Sequence, residues 1–203
     1  MATADNGRGL LLVFSGPSGC GKGTVVSQIL SKRQDTVLSV SITTRAPRPG
    51  EIDGVHYYFI TREKAREMIE NGEMLEHAEY NGNYYGTPRA AVEAQLAAGK
   101  NVILEIEVQG ALQVMERVSD HVSVFLAVPS MDELERRLRN RGTETEESVQ
   151  KRLAAAEFEL KHACNYQYLV LNDDVSSAVE RLNTIIEAEK LRYSRMKTIM
   201  EEF

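Results

Sequence analysis

Residues 16–24 read GPSGCGKGT and directly follow the apolar run LLLVFS at positions 10–15. The run is short and rich in β-forming residues, so it predicts a buried parallel strand. The stretch from Lys22 to about Lys32, with the pattern TVVSQILSK, predicts a helix. A strand, a glycine-rich loop with lysine and a helix, in this order, are the context of a phosphate-binding loop. This order predicts an α/β fold.

The glycines let the loop backbone fold around phosphate oxygens, with its N–H groups pointing inward. The helix N-terminus adds a favourable dipole, and Lys22 adds a positive charge for the β- and γ-phosphates. A glycine-rich turn that binds nothing is the alternative, which the position between strand and helix disfavours. The residues expected to bind ATP are Gly16, Pro17, Ser18, Gly19, Cys20, Gly21, Lys22, Gly23 and Thr24.

The residue after Lys22 is unusual for such a loop. A serine or threonine normally stands there and coordinates Mg²⁺, but this chain has Gly23, and a hydroxyl appears only at Thr24. We therefore expect Mg²⁺ to arrive with ATP and to be held chiefly by nucleotide oxygens and waters. The sequence does not identify protein ligands of the metal. Cys20 is interpreted as a small filler residue rather than a catalytic or redox group.

Predicted strands alternate with predicted helices, which indicates a doubly wound, mostly parallel sheet. The further strands are predicted at 37–42, 56–60, 101–107, 121–128 and 168–171. Helices are predicted at 62–71 after Thr61, from Thr87–Pro88 to Gly99, after Ser130, from Thr143 to 163, and at 176–200, the last with core positions Ala178, Leu182, Ile185, Ile186 and Leu191. Two regions interrupt the alternation: an inserted mixed-strand region at 39–90 and a helical lid at 130–160. The core would then comprise residues 1–38, 91–129 and 161–203.

Composition excludes several classes of function. The net charge of −6 argues against broad binding of nucleic acid. No apolar run approaches the ~18–20 residues that a membrane-spanning helix needs. The start of the chain lacks an apolar signal region, so Cys20 and Cys164 are expected to be free thiols in the cytoplasm. The oligomeric state is not predicted.

A second anion site is indicated by SITTRAPRPGEIDGVHYYF at 41–59. Arg45 and Arg48 flank a proline turn, and two guanidinium groups on a rigid turn suit a terminal phosphate. Tyr57 follows at a distance from which its hydroxyl can join them. Two arginines alone would more often form a solvated basic loop.

Four further motifs accompany this stretch: EHAEYNGNYYGT (76–87), EIEVQGA (105–111), RLRNRGTETEES (137–148) and NDD (172–174). With them the chain resembles the guanylate kinase family over nearly its whole length. The resemblance implies a direct, Mg-assisted in-line transfer of the γ-phosphoryl group from ATP to GMP, which gives ADP and GDP. Such an activity belongs to purine nucleotide metabolism and GMP recycling. It also implies that the inserted region binds GMP and that the helical region closes as a lid.

The resemblance assigns residues to each part of the reaction. The residues expected around the GMP phosphate are Ser41, Arg45, Arg48, Tyr57 and Tyr85. Those expected near the guanine are Glu76, Thr87 and Glu107, whereas Glu105 would lie near the metal-bound phosphates. Those expected around the transferring phosphoryl group, besides Lys22, are Arg137, Arg141 and Arg152, and Asn172 would lie beside the adenine. Family members often carry aspartate at 105 and 107, so the longer glutamates here depart from the pattern.

The chemistry of guanine agrees with the place of Glu76. One carboxylate can accept both the N1–H and the N2–H₂ donors, whereas adenine presents an acceptor at N1. Arginines converging on the transferred group would stabilise its equatorial negative charge. Without the surrounding motifs, Glu76 would be interpreted as a surface carboxylate and the lid arginines as partners of Glu133 and Glu144. No histidine stands at a catalytic spacing, and transfer to an anionic phosphate needs no base.

Three other functions compete with this hypothesis. A non-catalytic guanylate-kinase-like interaction module is disfavoured because Lys22 and the lid arginines are present. A kinase for another monophosphate, AMP or UMP, is disfavoured by Glu76 and GNYYGT. A GTPase switch is disfavoured because the chain has no guanine-reading NKxD motif.

Overall fold

A computed structural model describes residues 7–140 and 145–200, with side chains described as far as residue 196. Its first sheet is parallel and consists of β1 (Leu11–Ser15), β2 (Thr36–Leu38), β7 (Asn101–Glu105), β8 (Val122–Ala127) and β9 (Tyr168–Leu171). The strand order is β2-β7-β1-β8-β9. The first strand, β1, lies in the middle of this sheet and the later strands extend it to both edges, which confirms the doubly wound fold expected from the sequence.

The helices, in chain order, are α1 (Lys22–Lys32), α2 (Arg62–Glu70), α3 (Arg89–Ala97), α4 (Val108–Arg117), α5 (Met131–Arg139), α6 (Glu146–Lys161), α7 (Val175–Lys190) and α8 (Tyr193–Met200). A short 3₁₀ helix covers Ala163–Asn165. Within the part of the chain that the structure describes, none of the helices combines the length and apolarity needed to cross a membrane.

Alternation along β1 divides the core into two layers. Leu12 and Phe14 pack with α1 and α7 on one face of the sheet. Leu11 and Val13 pack with α3 and α4 on the other. Because both faces of the strand are covered by helices, it is apolar at nearly every position. This arrangement leaves the carboxyl ends of the strands free to carry the site.

A second, mixed sheet consists of β3 (Ile42–Thr43), β4 (Tyr58–Phe59), β5 (Met74–Tyr80) and β6 (Asn83–Pro88), in the order β4-β3-β6-β5. β3 and β4 are parallel, whereas β3 and β5 both run antiparallel to β6. The hairpin between β5 and β6 turns at Asn81 and Gly82, both with positive φ. All four strands come from the stretch that the sequence marks as an insertion.

Two predicted strands differ in the structure. The strand expected at 37–42 is divided, because residues 36–38 pair with β7 and residues 42–43 join the second sheet. The strand expected at 101–107 ends at Glu105, and Glu107 is the N-cap of α4. Glu105 and Glu107 therefore do not lie on one strand. The helix α4 has no counterpart in the sequence prediction.

Most predicted helix starts are confirmed, and α1, α2, α3 and α6 end within about two residues of the predicted positions. Thr61 and Ser130 accept backbone hydrogen bonds as N-caps of α2 and α5, as expected. α6 is capped by Thr145 instead of Thr143, which lies outside the described residues. β6 extends through Pro88, so α3 begins at Arg89, slightly later than predicted.

The predicted tail helix is two helices. α7 ends at Lys190, and Leu191, expected in the core, is 71% exposed. The buried carboxylate of Glu189 explains the break, because Arg195 donates to its Oε2 at 2.8 Å. This ion pair joins α8 to the end of α7.

Candidate active site at the carboxyl ends of the strands

The glycine-rich loop joins the end of β1 to the start of α1. Gly19 and Gly21 have φ of 93° and 96°, a region that disfavours other residues. Both are also closely approached: a Cβ on Gly21 would lie 2.5 Å from Asn172 Nδ2, and one on Gly19 would lie 2.8 Å from a Leu138 methyl. Both positions of the loop therefore require glycine.

Lys22 closes over the loop. Its Nζ donates to Gly16 O at 2.5 Å and approaches Pro17 O at 3.4 Å. The ammonium is thus held against the loop backbone. Cys20 is fully buried, and burial raises the pKa of its thiol. This disfavours the reactive thiolate and agrees with a filler role. Cys20 and Cys164 are both free.

Asn172 connects the loop to β8. Its Nδ2 donates to Cys20 O at 2.7 Å, and its backbone N–H donates to Ala127 O at 2.7 Å. Arg137 of α5 reaches the same point, with Nη2 donating to Asn172 O at 2.8 Å and Nη1 near Cys20 O at 3.4 Å. Asn172, expected beside the adenine, and Arg137, expected in the lid, therefore both contact the loop.

The other lid arginines differ in position. Arg152 of α6 approaches Ser18 Oγ at 3.4 Å, so α6 also reaches the loop. Arg141 lies outside the described residues. Arg136 and Arg139 are exposed and pair with carboxylates of α5 and α6. Arg137 also pairs with Glu133, at 2.7 Å. It is therefore both a partner of a carboxylate on its own helix, as the alternative interpretation expects, and a contact of the loop.

Glu105 stands where β7 ends, beside the loop. A Cβ on Gly23 would lie 3.8 Å from Glu105 Oε1, whereas Thr24 is exposed. Burial raises the pKa of Glu105, while Lys22 opposes the rise and Glu107 adds to it. A carboxylate thus occupies the neighbourhood of the position that usually carries a hydroxyl.

A cavity of about 360 Å³ opens next to Glu105, between the two sheets. The predicted acceptor-site residues that line it are Ser41, Tyr57, Glu76, Tyr85, Glu105 and Glu107. Glu76 is 5% exposed, and Thr87 Oγ1 donates to its Oε1 at 2.7 Å. Burial raises the pKa of Glu76, whereas the Thr87 hydrogen bond and Arg117 lower it. The Thr87 hydroxyl uses its one proton on the carboxylate, so in this structure it does not point a donor at the cavity.

Three of the predicted phosphate-binding side chains, Arg45, Tyr57 and Tyr85, lie together. The Arg45 guanidinium lies 5.6 Å from the Tyr57 ring centroid, and Tyr57 meets Tyr85 edge-on at 6.1 Å. Arg48 is exposed, and its backbone N–H donates to Glu51 Oε2 at 2.7 Å. Glu51 pairs with Arg45 as well, a role absent from the sequence prediction. In the sequence, only its position three residues after Arg48 on the same turn indicated that Glu51 would lie near the two arginines.

Glu159 of α6 is a second residue that the sequence analysis missed. Burial and the neighbouring carboxyl of Glu107 raise its pKa to about 7, while Lys22 and the Ser18 backbone lower it. Its Oε2 is buried without a hydrogen-bond partner among the described residues. Glu159 follows Arg152 by two helical turns, so the two share the face of α6 that meets the loop. On sequence alone it is one more charge on an amphipathic helix.

Several known proteins that are similar to this chain belong to one family. The guanylate kinase family model matches residues 8–189. The chain is 51% identical over 197 residues to the guanylate kinase of Desulfitobacterium hafniense (strain Y51), covering 97% of this chain and 98% of the relative. It is 55% identical over 189 residues to the guanylate kinase of Lactococcus lactis subsp. lactis (strain IL1403), covering 93% and 92%.

A solved structure resembles the chain equally broadly. The crystal structure of guanylate kinase from Anaplasma phagocytophilum superposes with a TM-score of 0.74 at 38% identity, covering 93% of this chain and 90% of that one. The family model, the relatives and the fold all agree with the resemblance carried by the sequence motifs. The chain therefore belongs to the guanylate kinase family.

Proposed function

We propose that this member of the family transfers the γ-phosphoryl group of ATP to GMP and releases ADP and GDP. The observation that carries the proposal is the position of Glu105, which lies beside Gly23 of the phosphate loop and also lines the acceptor cavity. The two sites therefore adjoin at one carboxylate. An adjoining donor and acceptor suit direct in-line transfer, with positioning as the main source of rate.

The loop, from Gly16 to Thr24, would hold the ATP phosphates, with Asn172 on the adenine side. Lys22 would exchange its contact with Gly16 O for the β- and γ-phosphates. Arg137 and Arg152 already lie against the loop and would stabilise charge on the transferring group. In this proposal residues 130–160 form the lid, which carries Arg141 as well, and closure of the lid keeps water from the γ-phosphate.

The acceptor would bind in the region 39–90. Glu76 would accept from guanine N1–H and N2–H₂, with Thr87 anchoring the carboxylate instead of donating to the base. Ser41, Arg45, Arg48, Tyr57 and Tyr85 would hold the phosphate of GMP, and Glu107 would lie near the base. A buried carboxylate that adenine leaves unpaired would discriminate strongly against AMP.

The side chains that could bind a metal suit Mg²⁺ that arrives already bound to the nucleotide. Among the described residues no group of three or more His, Cys, Asp or Glu could hold a metal by itself. Nucleotide oxygens and waters would then supply most ligands, as Mg²⁺ commonly accepts. When bound, the ion would neutralise charge on the β- and γ-phosphates. The cytoplasmic location and the lack of a nucleic-acid partner remain predictions from the sequence.

The test is an assay of ADP release from Mg-ATP with GMP, AMP, UMP or no acceptor. We expect ADP only with GMP, with GDP in equal amount, and no reaction when EDTA removes Mg²⁺. ADP release without acceptor would indicate a hydrolase, and equal use of AMP or UMP would contradict the base assignment. Binding of GMP without turnover would favour an interaction module.

A matched pair of lysine variants shows whether the loop carries the activity. Lys22→Met removes the charge at the loop, whereas Lys32→Met removes an exposed one at the other end of α1. We expect kcat to fall at least ~100-fold in the first and to change little in the second. Similar activity in both variants would overturn the assignment of Lys22.

A further inference from the structure

Gly110, in the first turn of α4, leaves room for the Glu76 side chain. A Cβ at this position would lie 2.7 Å from Glu76 Oε2, 3.2 Å from Cδ and 3.4 Å from Cγ. The φ of Gly110 is not among the positive values in this chain, so its helical backbone would accept any L-residue. The close approach of the carboxylate is therefore what requires a glycine here.

The backbone around Glu76 cannot easily move away from α4. Gln113 of α4 clamps the next residue, His77, donating to its carbonyl at 3.0 Å and accepting from its N–H at 3.3 Å. On the other side, Thr87 holds Oε1 at 2.7 Å. A side chain at 110 would therefore displace the free end of Glu76, which is the carboxylate, and not the strand.

The position also disfavours glycine on other grounds. Glycine is among the poorest helix formers, and its flexibility in the unfolded chain lowers the stability of a helix that contains it. Gly110 is buried, so exposure to solvent does not account for a glycine at this position. A residue that weakens its helix and touches the base-facing carboxylate fits a role in recognition.

We propose that Gly110 is a specificity-determining residue, which sets the orientation of the Glu76 carboxylate against the edge of the acceptor base. This inference rests on the proposed function. A methyl group at 110 would turn or raise the carboxylate, so that its two oxygens no longer face two adjacent donors. Binding of the ATP phosphates, on the far side of Glu105, would be unaffected.

The test compares Gly110→Ala with wild type, using GMP and inosine monophosphate, which lacks the exocyclic amino group. We expect KM for GMP to rise at least ~10-fold and the preference for GMP over inosine monophosphate to shrink. KM for ATP should stay within ~2-fold, since the phosphate loop is untouched. Tm should be unchanged or higher, because alanine is the better helix former. Glu116→Ala, on an exposed position of the same helix, serves as the control for helix propensity.

The outcomes separate this inference from the proposed function. Wild type that fails to phosphorylate GMP would refute the function. Wild type that succeeds, together with Gly110→Ala of unaltered KM and preference, would refute the role of Gly110. If Gly110→Ala lowers Tm, the double variant with Glu76→Ala removes the colliding carboxylate. Recovery of Tm would then support the contact as the cause, and no recovery would overturn the inference.

Discussion

Glu51 holds the Arg45 guanidinium by two parallel hydrogen bonds, with Oε1 2.9 Å from Nη2 and Oε2 2.9 Å from Nη1. Oε2 also accepts from the Arg48 backbone N–H at 2.7 Å. Arg45 lowers the pKa of Glu51 to about 2, and the Arg48 backbone contributes. One carboxylate therefore shapes the turn on which both arginines stand.

Removing that carboxylate should weaken acceptor binding. In Glu51→Ala, Arg45 loses its two-point anchor, so we expect KM for GMP to rise about 10-fold with KM for ATP unchanged. Steady-state kinetics with each substrate varied in turn measures both values. Glu67→Ala removes the carboxylate of an exposed pair with Lys64 in the same region and is the control. A matching rise in both KM values would argue against a local role.

The charge of Glu76 should matter more than its shape. Glu76→Gln keeps the size of the side chain but places an amide where a carboxylate oxygen would accept from guanine. We expect kcat/KM for GMP to fall at least ~100-fold, with little change in ATP binding. Glu73→Gln, an exposed residue just before β5, provides the comparison. Equal loss of ATP and GMP binding would contradict the assignment of Glu76 to the base.

Neighbouring arginines on α5 should differ sharply in effect. Arg137 donates to Asn172 O, whereas the ion pair of Arg136 is with Glu133 and its side chain is 62% exposed. Lysine cannot reproduce the planar fork, so Arg137→Lys should lower kcat about 100-fold. Arg136→Lys should change kcat less than about 2-fold. Single-turnover measurements separate the transfer step from product release. A change of less than about 2-fold in both variants would favour a surface role for Arg137 as well.

The Glu107–Glu159 pair should make stability depend on pH. The folded-state pKa of Glu159 is raised from 4.5 to about 7, so the folded protein binds more protons than the unfolded chain in this range. Its contribution to the free energy of unfolding is therefore complete below about 4.5 and is lost as the pH rises through about 7.

Glu159→Gln removes this titration while keeping the size of the side chain. We expect the variant to gain stability over wild type as the pH increases from 4.5 to about 7, with no further gain above. Urea unfolding at several pH values measures the difference. Glu157→Gln, an exposed position on the same helix, is the control. A difference that does not vary with pH would mean that Glu159 does not carry the shifted proton.

Local patterns predicted the parts of the site that lie within one stretch of chain. The loop from Gly16 to Thr24 and the capped starts of α2 and α5 follow from residues close in sequence. The motifs that carry the family resemblance identified Glu76 and the arginine turn. Boundaries were less predictable, because the division of 37–42 between two sheets depends on which strands are available for pairing.

The sequence by itself determined the fold class, through the alternation of predicted strands and helices, and the family, through the resemblance that its motifs carry. Only the tertiary structure decided that α4 lies against Glu76 at Gly110, and that α6 brings Glu159 beside Glu107. Such contacts join residues tens of positions apart. They depend on how two sheets and a helical pair are set against one another, and no local pattern of side chains encodes that arrangement.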